Sequence, residues 1–317
     1  MKRLWLLLTL CWLAACGGQP ATKVVIAINP WPGYELLYLA QQQGYFAEEG
    51  LQLELVQVAS LSDAQRAYLA GGVDGFTGTL IEAVQVAMLG GKPLKIALLA
   101  DYSAGADLIV APEHFTSMTQ LKGKTIGCEV SSLGIYILAR ALMANGMTLD
   151  DVKVINVEQG DGNRQLAAGT IDAMVTYPPY SIALLKHEGM QQLFSTREIP
   201  GEVLDIVSVS ESLLRRAPDF PAKLQNVWQK ALEYHMRHPQ EANALMARRE
   251  GISAAEFNAS LNGLALLTSE SQQQLLADRE RLRGMLGSVC DTLTRIQAVS
   301  GTCDKLPYLF IGGGASQ

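Results

Sequence analysis

The sequence predicts an α/β protein with mostly parallel, doubly wound sheets. Short apolar runs rich in β-branched residues alternate with helical segments along most of the chain, which is the pattern of strands buried on both faces. A chain of 317 residues also exceeds the size at which a single core tends to divide. Residues 69–77 and 167–175 each pass from a helix end through a glycine turn into a short strand with one acid. These observations favour two similar lobes.

The predicted elements follow this alternation as far as Pro200. Strands are predicted at residues 24–28, 51–55, 73–76, 94–100, 108–110, 125–128, 152–157, 171–177 and 204–209. Helices are predicted at residues 35–43, 62–70, 79–89, 133–145, 163–168, 179–187, 221–238, 240–249 and 269–286. Capping boxes mark three helix starts, at Ser62 with Gln65, Thr79 with Glu82 and Ser253 with Glu256. We expect the helical tail beyond Pro200 to pack on the first lobe.

The first residues predict export. Lys2 and Arg3 precede an apolar run at 4–13, which is too short to span a bilayer, and two alanines follow. Leu13-Ala14-Ala15-Cys16 is similar to the lipobox of bacterial lipoproteins, in which the cysteine becomes the lipidated first residue. We therefore expect a signal peptide and lipobox at 1–16 and a flexible tether at 17–22. A lipid on Cys16 would hold the protein to the outer or the cytoplasmic membrane, facing the periplasm. An ordinary signal peptide with a chance cysteine is the alternative.

Charge and cysteine content narrow the class of protein. A net charge of -6 and a pI near 5.3, with no basic block, disfavour nucleic-acid binding. Export permits a disulfide. Cys290 and Cys303 either form a bridge, which would stabilise the fold by roughly 3 kcal/mol, or remain free thiols. Cys128 fits a small buried side chain in a strand. The glycine-rich end at 306–316 is expected to be poorly ordered.

The loop after the first strand is the first candidate for a binding site. Residues 29–34 contain two prolines and a glycine, so the loop is stiff, and it carries Trp31 and Tyr34. Open α/β sheets bind ligands at the carboxyl ends of their strands, where this loop must lie. The two aromatic side chains either contact a ligand or cover the end of the sheet.

Several short motifs together resemble one family. They are Trp31-Pro32-Gly33-Tyr34 before a helix that ends Gly44-Tyr45-Phe46, then Glu49-Gly50-Leu51, and the runs at 101–107, 121–127 and 168–173. The set resembles the substrate-binding proteins of ABC importers for nitrate, sulfonates, taurine and thiamine pyrimidine precursors, from about residue 23 to residue 267. The resemblance implies a type II periplasmic binding fold, in which two α/β lobes joined by two hinge crossings close on a ligand.

The chain departs from this family in two places. Tyr177-Pro178-Pro179-Tyr180 stands where many members have a tryptophan or tyrosine followed by Glu-Pro, so a carboxylate that some relatives carry is missing. The segment at 290–303 has no counterpart in the family pattern. Both departures bear on the identity of the ligand.

The resemblance also implies where the lobes divide. Crossings near 102–105 and 195–201 would give lobe one at 23–101 and 201–310 and lobe two at 102–200. The cleft between them would be lined by the carboxyl ends of strands and the loops beyond. The candidate ligand-binding residues are Trp31, Tyr34, Thr77, Gly78, Thr79, Asp101, Tyr102, Glu129, Ser131, Ser132, Tyr177 and Tyr180.

The chemistry of these residues points in two directions. The segments 77–79 and 131–132 lead into helices, where free N–H groups favour an anion or an acceptor, although ordinary N-capping explains them equally well. Asp101 and Glu129 favour a cationic or N–H-donating ligand. The nearest basic residue is Arg164, so a free phosphate or nitrate fits poorly. The aromatic residues could stack on a planar ring or surround an ammonium group.

The predicted function is capture of a small organic nitrogenous or aromatic solute, with a sulfonate second, and its delivery to an ABC permease. Presentation of the closed form to a membrane sensor is the alternative. An enzyme like the pyrimidine-precursor synthases of this fold is a further alternative, but those depend on a histidine and a cysteine cluster, and no such motif is recognisable here. We expect a monomer without a cofactor or a metal.

Overall fold

The computed structural model describes residues 22–311. The predicted signal peptide, the lipidation site at Cys16 and the tether as far as residue 21 lie outside the described residues, as does the end of the glycine-rich segment beyond residue 311. Within the described range, no helix combines the length and the apolar character needed to cross a membrane.

Strands and helices alternate through the first two thirds of the described chain, and helices dominate afterwards. The strands are β1 (Lys23–Ile28), β2 (Gln52–Gln57), β3 (Gly75–Thr79), β4 (Leu94–Ser103), β5 (Leu108–Pro112), β6 (Thr125–Cys128), β7 (Lys153–Asn156), β8 (Ala173–Thr176), β9 (Met190–Ser195), β10 (Leu204–Ser210) and β11 (Leu264–Leu266). The helices are α1 (Glu35–Gln42), α2 (Tyr45–Glu48), α3 (Leu61–Leu69), α4 (Leu80–Met88), α5 (Leu133–Ala144), α6 (Gly162–Ala167), α7 (Tyr180–Leu185), α8 (Glu211–Arg216), α9 (Phe220–Arg237), α10 (Pro239–Glu250), α11 (Ala254–Ser260), α12 (Ser269–Ala277) and α13 (Arg279–Arg295).

The strands form two sheets, which confirms the predicted α/β fold class. The first sheet has the order β11-β4-β10-β3-β1-β2, and the second has the order β7-β6-β8-β5-β9. β1 pairs in parallel with β2 and β3, while β10 runs antiparallel between β3 and β4. In the second sheet β5 runs antiparallel between β8 and β9. Each sheet is therefore parallel except at the strand that enters it from the other sheet, which is β10 in the first sheet and β5 in the second. The edge strand β11 of the first sheet is also antiparallel to its neighbour.

The chain passes between the sheets twice, from β4 to β5 and from β9 to β10. The two links are bonded to each other. Ser103 Oγ lies 2.8 Å from Thr196 Oγ1, and the Gly105 N–H donates to the same threonine oxygen at 2.8 Å. The domain boundaries themselves stay a prediction, with the expected crossings in or next to these links.

The helical tail packs on the first sheet and on the helices next to it. α9 lies against α1 and β4, and α13 lies against α4. Trp228 on α9 is fully buried and donates its indole N–H to Leu267 O at 2.8 Å. Cys290 on α13 is bonded to Cys303, with a Cα–Cα distance of 5.8 Å.

The structure corrects the expectation of poor order for the described part of the 306–316 segment, residues 306–311. Leu309 and Phe310 are buried, and the Ile96 N–H of β4 donates to Leu309 O at 2.8 Å. This segment is held because it covers the outer part of β4 with two large apolar side chains.

Other corrections concern element ends. α3 is capped by Ser60, whose side chain accepts from the Asp63 N–H, whereas the prediction placed the cap at Ser62. The helix predicted at 269–286 is broken at Asp278, which caps α13. The strands β9 and β11 were not predicted, because β9 is rich in glutamine and β11 has only three residues. The capping boxes at Thr79 and Ser253 are confirmed.

Candidate functional site

The two lobes meet around the loop that follows β1. Trp31 and Tyr34 are both buried there. The Trp31 indole N–H donates to Asp101 Oδ2 at 3.3 Å. The loop can approach this carboxyl group because residue 33 is glycine, where an added Cβ would overlap Asp101 Oδ2. The stiff loop that the prolines predict therefore follows β1 and contacts Asp101 near the end of β4.

The Tyr34 hydroxyl lies between a backbone carbonyl oxygen and a buried carboxyl group. Its hydroxyl oxygen lies 2.6 Å from Gly78 O and 2.7 Å from Asp205 Oδ1. A phenol has one proton and can donate to only one of these oxygens, so the second contact needs a proton on Asp205. Burial, followed by the negative charge of Asp101, raises the pKa of Asp205 well above its usual range, which supplies that proton.

Acidic side chains dominate the cleft. Asp101, Asp107, Glu129 and Asp205 are each no more than 3% exposed. Burial raises the pKa of Asp101 to about 8, against the opposing effect of the Trp31 hydrogen bond, and raises that of Asp107 to about 7. Burial also raises the pKa of Glu129, opposed by the neighbouring polar side chains of Ser60, Gln159 and Ser62.

Each of these four carboxyl groups has one oxygen that accepts no hydrogen bond from a backbone, hydroxyl, amide or basic group within residues 22–311, although Asp101 lies within hydrogen-bond reach of Asp205. These oxygens are Asp101 Oδ1, Asp107 Oδ2, Glu129 Oε1 and Asp205 Oδ2. None of the four groups forms an ion pair with a lysine or arginine of that range. The cleft therefore offers hydrogen-bond acceptors, and no basic side chain of the described chain pairs with these carboxyl groups when they are charged.

Aromatic rings from both lobes lie next to these acids. Trp31 and Tyr177 meet edge to face, with ring centroids 6.1 Å apart, and Tyr177 and Tyr180 do the same at 5.8 Å. Gln159 Nε2 donates to Glu129 Oε2 at 3.1 Å, and the Tyr177 hydroxyl lies 3.5 Å from the same oxygen. This side of the cleft thus combines a carboxylate with ring edges.

Contacts across the cleft show that the lobes are closed. The Tyr180 hydroxyl donates to Ala59 O at 2.6 Å, and Ser131 Oγ lies 3.2 Å from Ser62 Oγ. The Leu133 N–H of α5 donates to Glu82 Oε1 of α4 at 2.6 Å. Helix starts of the two lobes therefore contact each other directly.

The structure brings most of the predicted site residues to this cleft. Thr77 instead hydrogen-bonds Asn29 Oδ1 at 2.9 Å, and both it and Gly78 lie in β3 rather than in a loop. Tyr102 lies away from the cleft, with its hydroxyl 4.0 Å from Met285 Sδ. The residues placed at the cleft are Trp31, Tyr34, Gly78, Thr79, Asp101, Glu129, Ser131, Ser132, Tyr177 and Tyr180.

Sequence reasoning missed Asp107, Asp205 and Gln159, and treated Glu82 only as a helix cap. Asp107 is the last residue of the motif at 101–107, so the motif itself points to this position. The sequence does not reveal that the Asp107 side chain is buried. Asp205 faces Asp101 and Thr79 through strand register, as β10 pairs with β4 and β3. No local pattern reveals such a pairing.

A separate cavity of about 280 Å³ lies beside the links between the lobes. Its walls include Leu108 and Ile182 of lobe two and Gly263 before β11. None of the residues that line it carries a buried polar side-chain atom without a partner. The acidic cleft is therefore the stronger candidate for a ligand site.

Comparisons with known proteins agree with this architecture. A formylaminopyrimidine-binding protein of Halalkalibacterium halodurans is 24% identical over 262 residues, covering 78% of this chain and 79% of that protein. A 4-amino-5-hydroxymethyl-2-methylpyrimidine phosphate synthase of Aspergillus parasiticus is 27% identical over 157 residues, covering 48% of this chain and 45% of that protein. The alkanesulfonate-binding protein SsuA of Xanthomonas axonopodis pv. citri, solved with MOPS, has a TM-score of 0.76 at 15% identity, covering 88% of this chain and 94% of that one.

These comparisons confirm the resemblance stated above. The fold is that of the periplasmic binding proteins. The family model described as NMT1/THI5 like matches residues 31–242, which is more than half of the chain and extends from the Trp31 loop into α10. The chain therefore belongs to the NMT1/THI5 like family.

Proposed function

We propose that the protein captures a small organic nitrogenous solute between its lobes and delivers it to an ABC permease. The solute carries N–H donors or a positive charge. The single observation that supports this ligand class is the set of four buried carboxyl groups with unpaired oxygens and no basic partner in the described chain.

The energetic argument starts from desolvation. A buried carboxylate without a partner is costly, so in the ligand-free closed form these groups hold protons or the lobes open to water. A solute with N–H groups supplies charge-assisted hydrogen bonds to the same oxygens. The adjacent Trp31 and Tyr177 rings pack against an apolar or aromatic part of it. Binding to the closed form then shifts the lobes towards closure.

Export and lipid anchoring form the second part of the proposal. The signal sequence and the lipobox at Leu13–Cys16 support a protein held to a membrane in the periplasm by a lipid on Cys16. A Cys16→Ser variant is expected to leave the membrane fraction and appear in the soluble periplasmic fraction. Retention of that variant in membranes would contradict the anchor.

The proposed role is binding without chemistry. The four histidines lie at positions 114, 187, 235 and 238, and within residues 22–311 none of their side chains forms a hydrogen bond with a residue of the cleft. His235 Nε2 lies 2.8 Å from Asn243 Oδ1, between α9 and α10. The free cysteine of the described chain, Cys128, is buried, and burial raises the pKa of its thiol to about 12, so it is a poor nucleophile.

The ligand class is tested by a thermal-shift screen of the mature chain against polyamines, aminopyrimidines, amino acids, sulfonates and oxyanions. A ligand at a hundred times its dissociation constant adds about 2.7 kcal/mol of stability, which moves Tm by several degrees. Nitrogenous solutes are expected to raise Tm and to be confirmed by calorimetric titration. Stabilisation by sulfonates or oxyanions alone would overturn the proposed ligand class.

A further inference from the structure

Glu82 connects the two lobes through a single carboxylate. It lies in the first turn of α4 in lobe one and is fully buried. Its Oε2 accepts from the Thr79 N–H at 2.7 Å and from the Thr79 hydroxyl at 2.6 Å. Its Oε1 accepts from the Leu133 N–H at 2.6 Å, at the start of α5 in lobe two. One side chain therefore caps helices of both lobes.

The start of α5 has no cap of its own. Ser132 stands at the N-cap position, but its side chain makes no capping hydrogen bond, and its buried Oγ has no protein partner within residues 22–311. A helix of twelve residues presents orphan N–H groups and a partial positive charge at this end. Such an end binds an anion, and here Glu82 supplies it.

We propose that Glu82 is a specificity-determining residue that excludes anionic solutes by occupying the start of α5 with its own carboxylate. An anion that entered the open cleft and bound these N–H groups would meet Glu82 as the lobes closed. Two carboxylates or a carboxylate and a sulfonate cannot share one N–H group without strong like-charge repulsion. The inference deepens the proposed function, because it accounts for selection of nitrogenous solutes at the same cleft.

The arrangement around Glu82 supports this role. Asp107 and Asp205 lie close enough to Glu82 for its charge to raise the pKa of both carboxyl groups. In the matching capping box at Ser253, the carboxylate of Glu256 faces the surface and pairs with Lys186 at 2.6 Å. Glu82 has the same local motif, but its second oxygen is buried and accepts a backbone N–H at the start of a helix instead of pairing with a lysine.

The test compares anion binding by four forms of the mature chain: wild type, Glu82→Ala, Glu82→Gln and Glu129→Gln. Methanesulfonate and nitrate are titrated by calorimetry at constant ionic strength. Glu82→Ala frees the start of α5 and is expected to bind methanesulfonate at least roughly tenfold more tightly than wild type. Glu82→Gln, which keeps the side-chain volume, is expected to show a smaller gain.

Glu129→Gln is the matched control, because it removes one negative charge from the same cleft without touching α5. Equal gains in Glu82→Gln and Glu129→Gln would overturn the proposal, since the effect would then be general charge. No gain in either Glu82 variant, with native unfolding curves, would also overturn it. If Glu82→Ala does not fold, the comparison of the two glutamine variants decides.

The proposed function is read separately, from titration of wild type with the nitrogenous solutes. If wild type does not bind these solutes, the proposed ligand class is refuted, and the comparison of anion binding among the variants still stands. Conversely, wild type that binds methanesulfonate as tightly as Glu82→Ala would refute the role of Glu82 alone.

Discussion

Two groups of buried acids in this protein differ in how their charge is balanced. In the cleft, Asp101, Asp107 and Asp205 have no basic partner in the described chain. At the start of α1, Glu35 pairs with Arg249 of α10, and both side chains are almost fully buried. Glu250 is buried beside them, and the Arg249 guanidinium also lies over the Tyr38 ring at 5.5 Å.

The difference indicates which buried acids are balanced by a cation of the described chain and which are not. Glu35 of the scaffold group pairs with an arginine of the same chain, and the charge of that arginine also acts on Glu250. The acids of the cleft receive none, so their compensating charge is either a proton or a ligand. Because both groups are equally removed from water, burial alone does not explain the contrast, whereas the proposed binding role would explain it.

The largest expected effect comes from removing the arginine of the scaffold group. Arg249→Met leaves Glu35 and Glu250 buried without a cation and is expected to lower the free energy of unfolding by about 3–5 kcal/mol. Urea denaturation measures this loss, and Glu35→Gln in the same chain should restore part of it. Solute affinity should stay near the wild-type value. As a control, Lys23→Met at the exposed pair with Glu54 should leave stability nearly unchanged.

The second prediction exchanges a cleft acid for its amide. Asp101→Asn is expected to weaken binding of the nitrogenous solute by roughly 10- to 100-fold, because it removes a charge-assisted hydrogen bond. The unfolding free energy of the ligand-free protein should stay level or rise. Calorimetric titration and urea denaturation give the two values, with exposed Asp150→Asn as the control. A large loss of stability with unchanged affinity would place Asp101 in the scaffold group.

The third prediction concerns pH. Asp101 and Asp107 have pKa values of about 8 and 7 in the folded protein, against roughly 3.9 when unfolded. The folded state therefore binds more protons between these values, so stability of the ligand-free protein should fall as pH rises from 5 to 8. The slope is about 1.4 kcal/mol per pH unit for each such group.

A bound cationic solute sharpens this pH test. It should flatten the slope due to Asp101 and Asp107, because their charged form then has a partner. The slope due to Glu35, whose pKa burial raises to about 8 against the opposing effect of Arg249, should persist. Urea denaturation at several pH values, with and without solute, separates the two. A slope unaffected by solute would mean that the ligand does not contact the acids.

The smallest expected effect tests closure. Tyr180→Phe removes the hydroxyl that donates to Ala59 O across the cleft. One such hydrogen bond contributes about 0.5–1.5 kcal/mol, so solute affinity should fall by roughly two- to tenfold. Tyr102→Phe, whose hydroxyl faces Met285, is the control and should bind as wild type does. Equal effects from both variants would argue against closure as the cause.

The sequence was sufficient for the elements with strong local signals. The buried strand at Thr125–Cys128 was predicted at its observed bounds, because an apolar run between turn residues leaves little choice. The cap of α3 was misplaced because Ser60 and Ser62 are both serines with a polar residue three positions on, and backbone geometry decides between them.

The site was predictable where a loop carries it and not where strand pairing assembles it. Trp31 and Tyr34 follow a strand directly, so their position at the sheet edge could be inferred. Asp205 reaches Asp101 only through the antiparallel register of β10 with β4, which links residues a hundred positions apart. Tyr102 was included beside Asp101, yet successive side chains of a strand point to opposite faces, so the two cannot share one cleft.

The hydrogen bonds that join Ser103 and Gly105 to Thr196 connect the two links and affect how the lobes can move. Two separate links would let the lobes twist and shear independently. Two links that are hydrogen-bonded to each other bend together as one unit. Lobe motion is then reduced to rotation about one axis. We expect distances measured between pairs of labels on opposite lobes to change together as the cleft opens, each set by the same single opening angle.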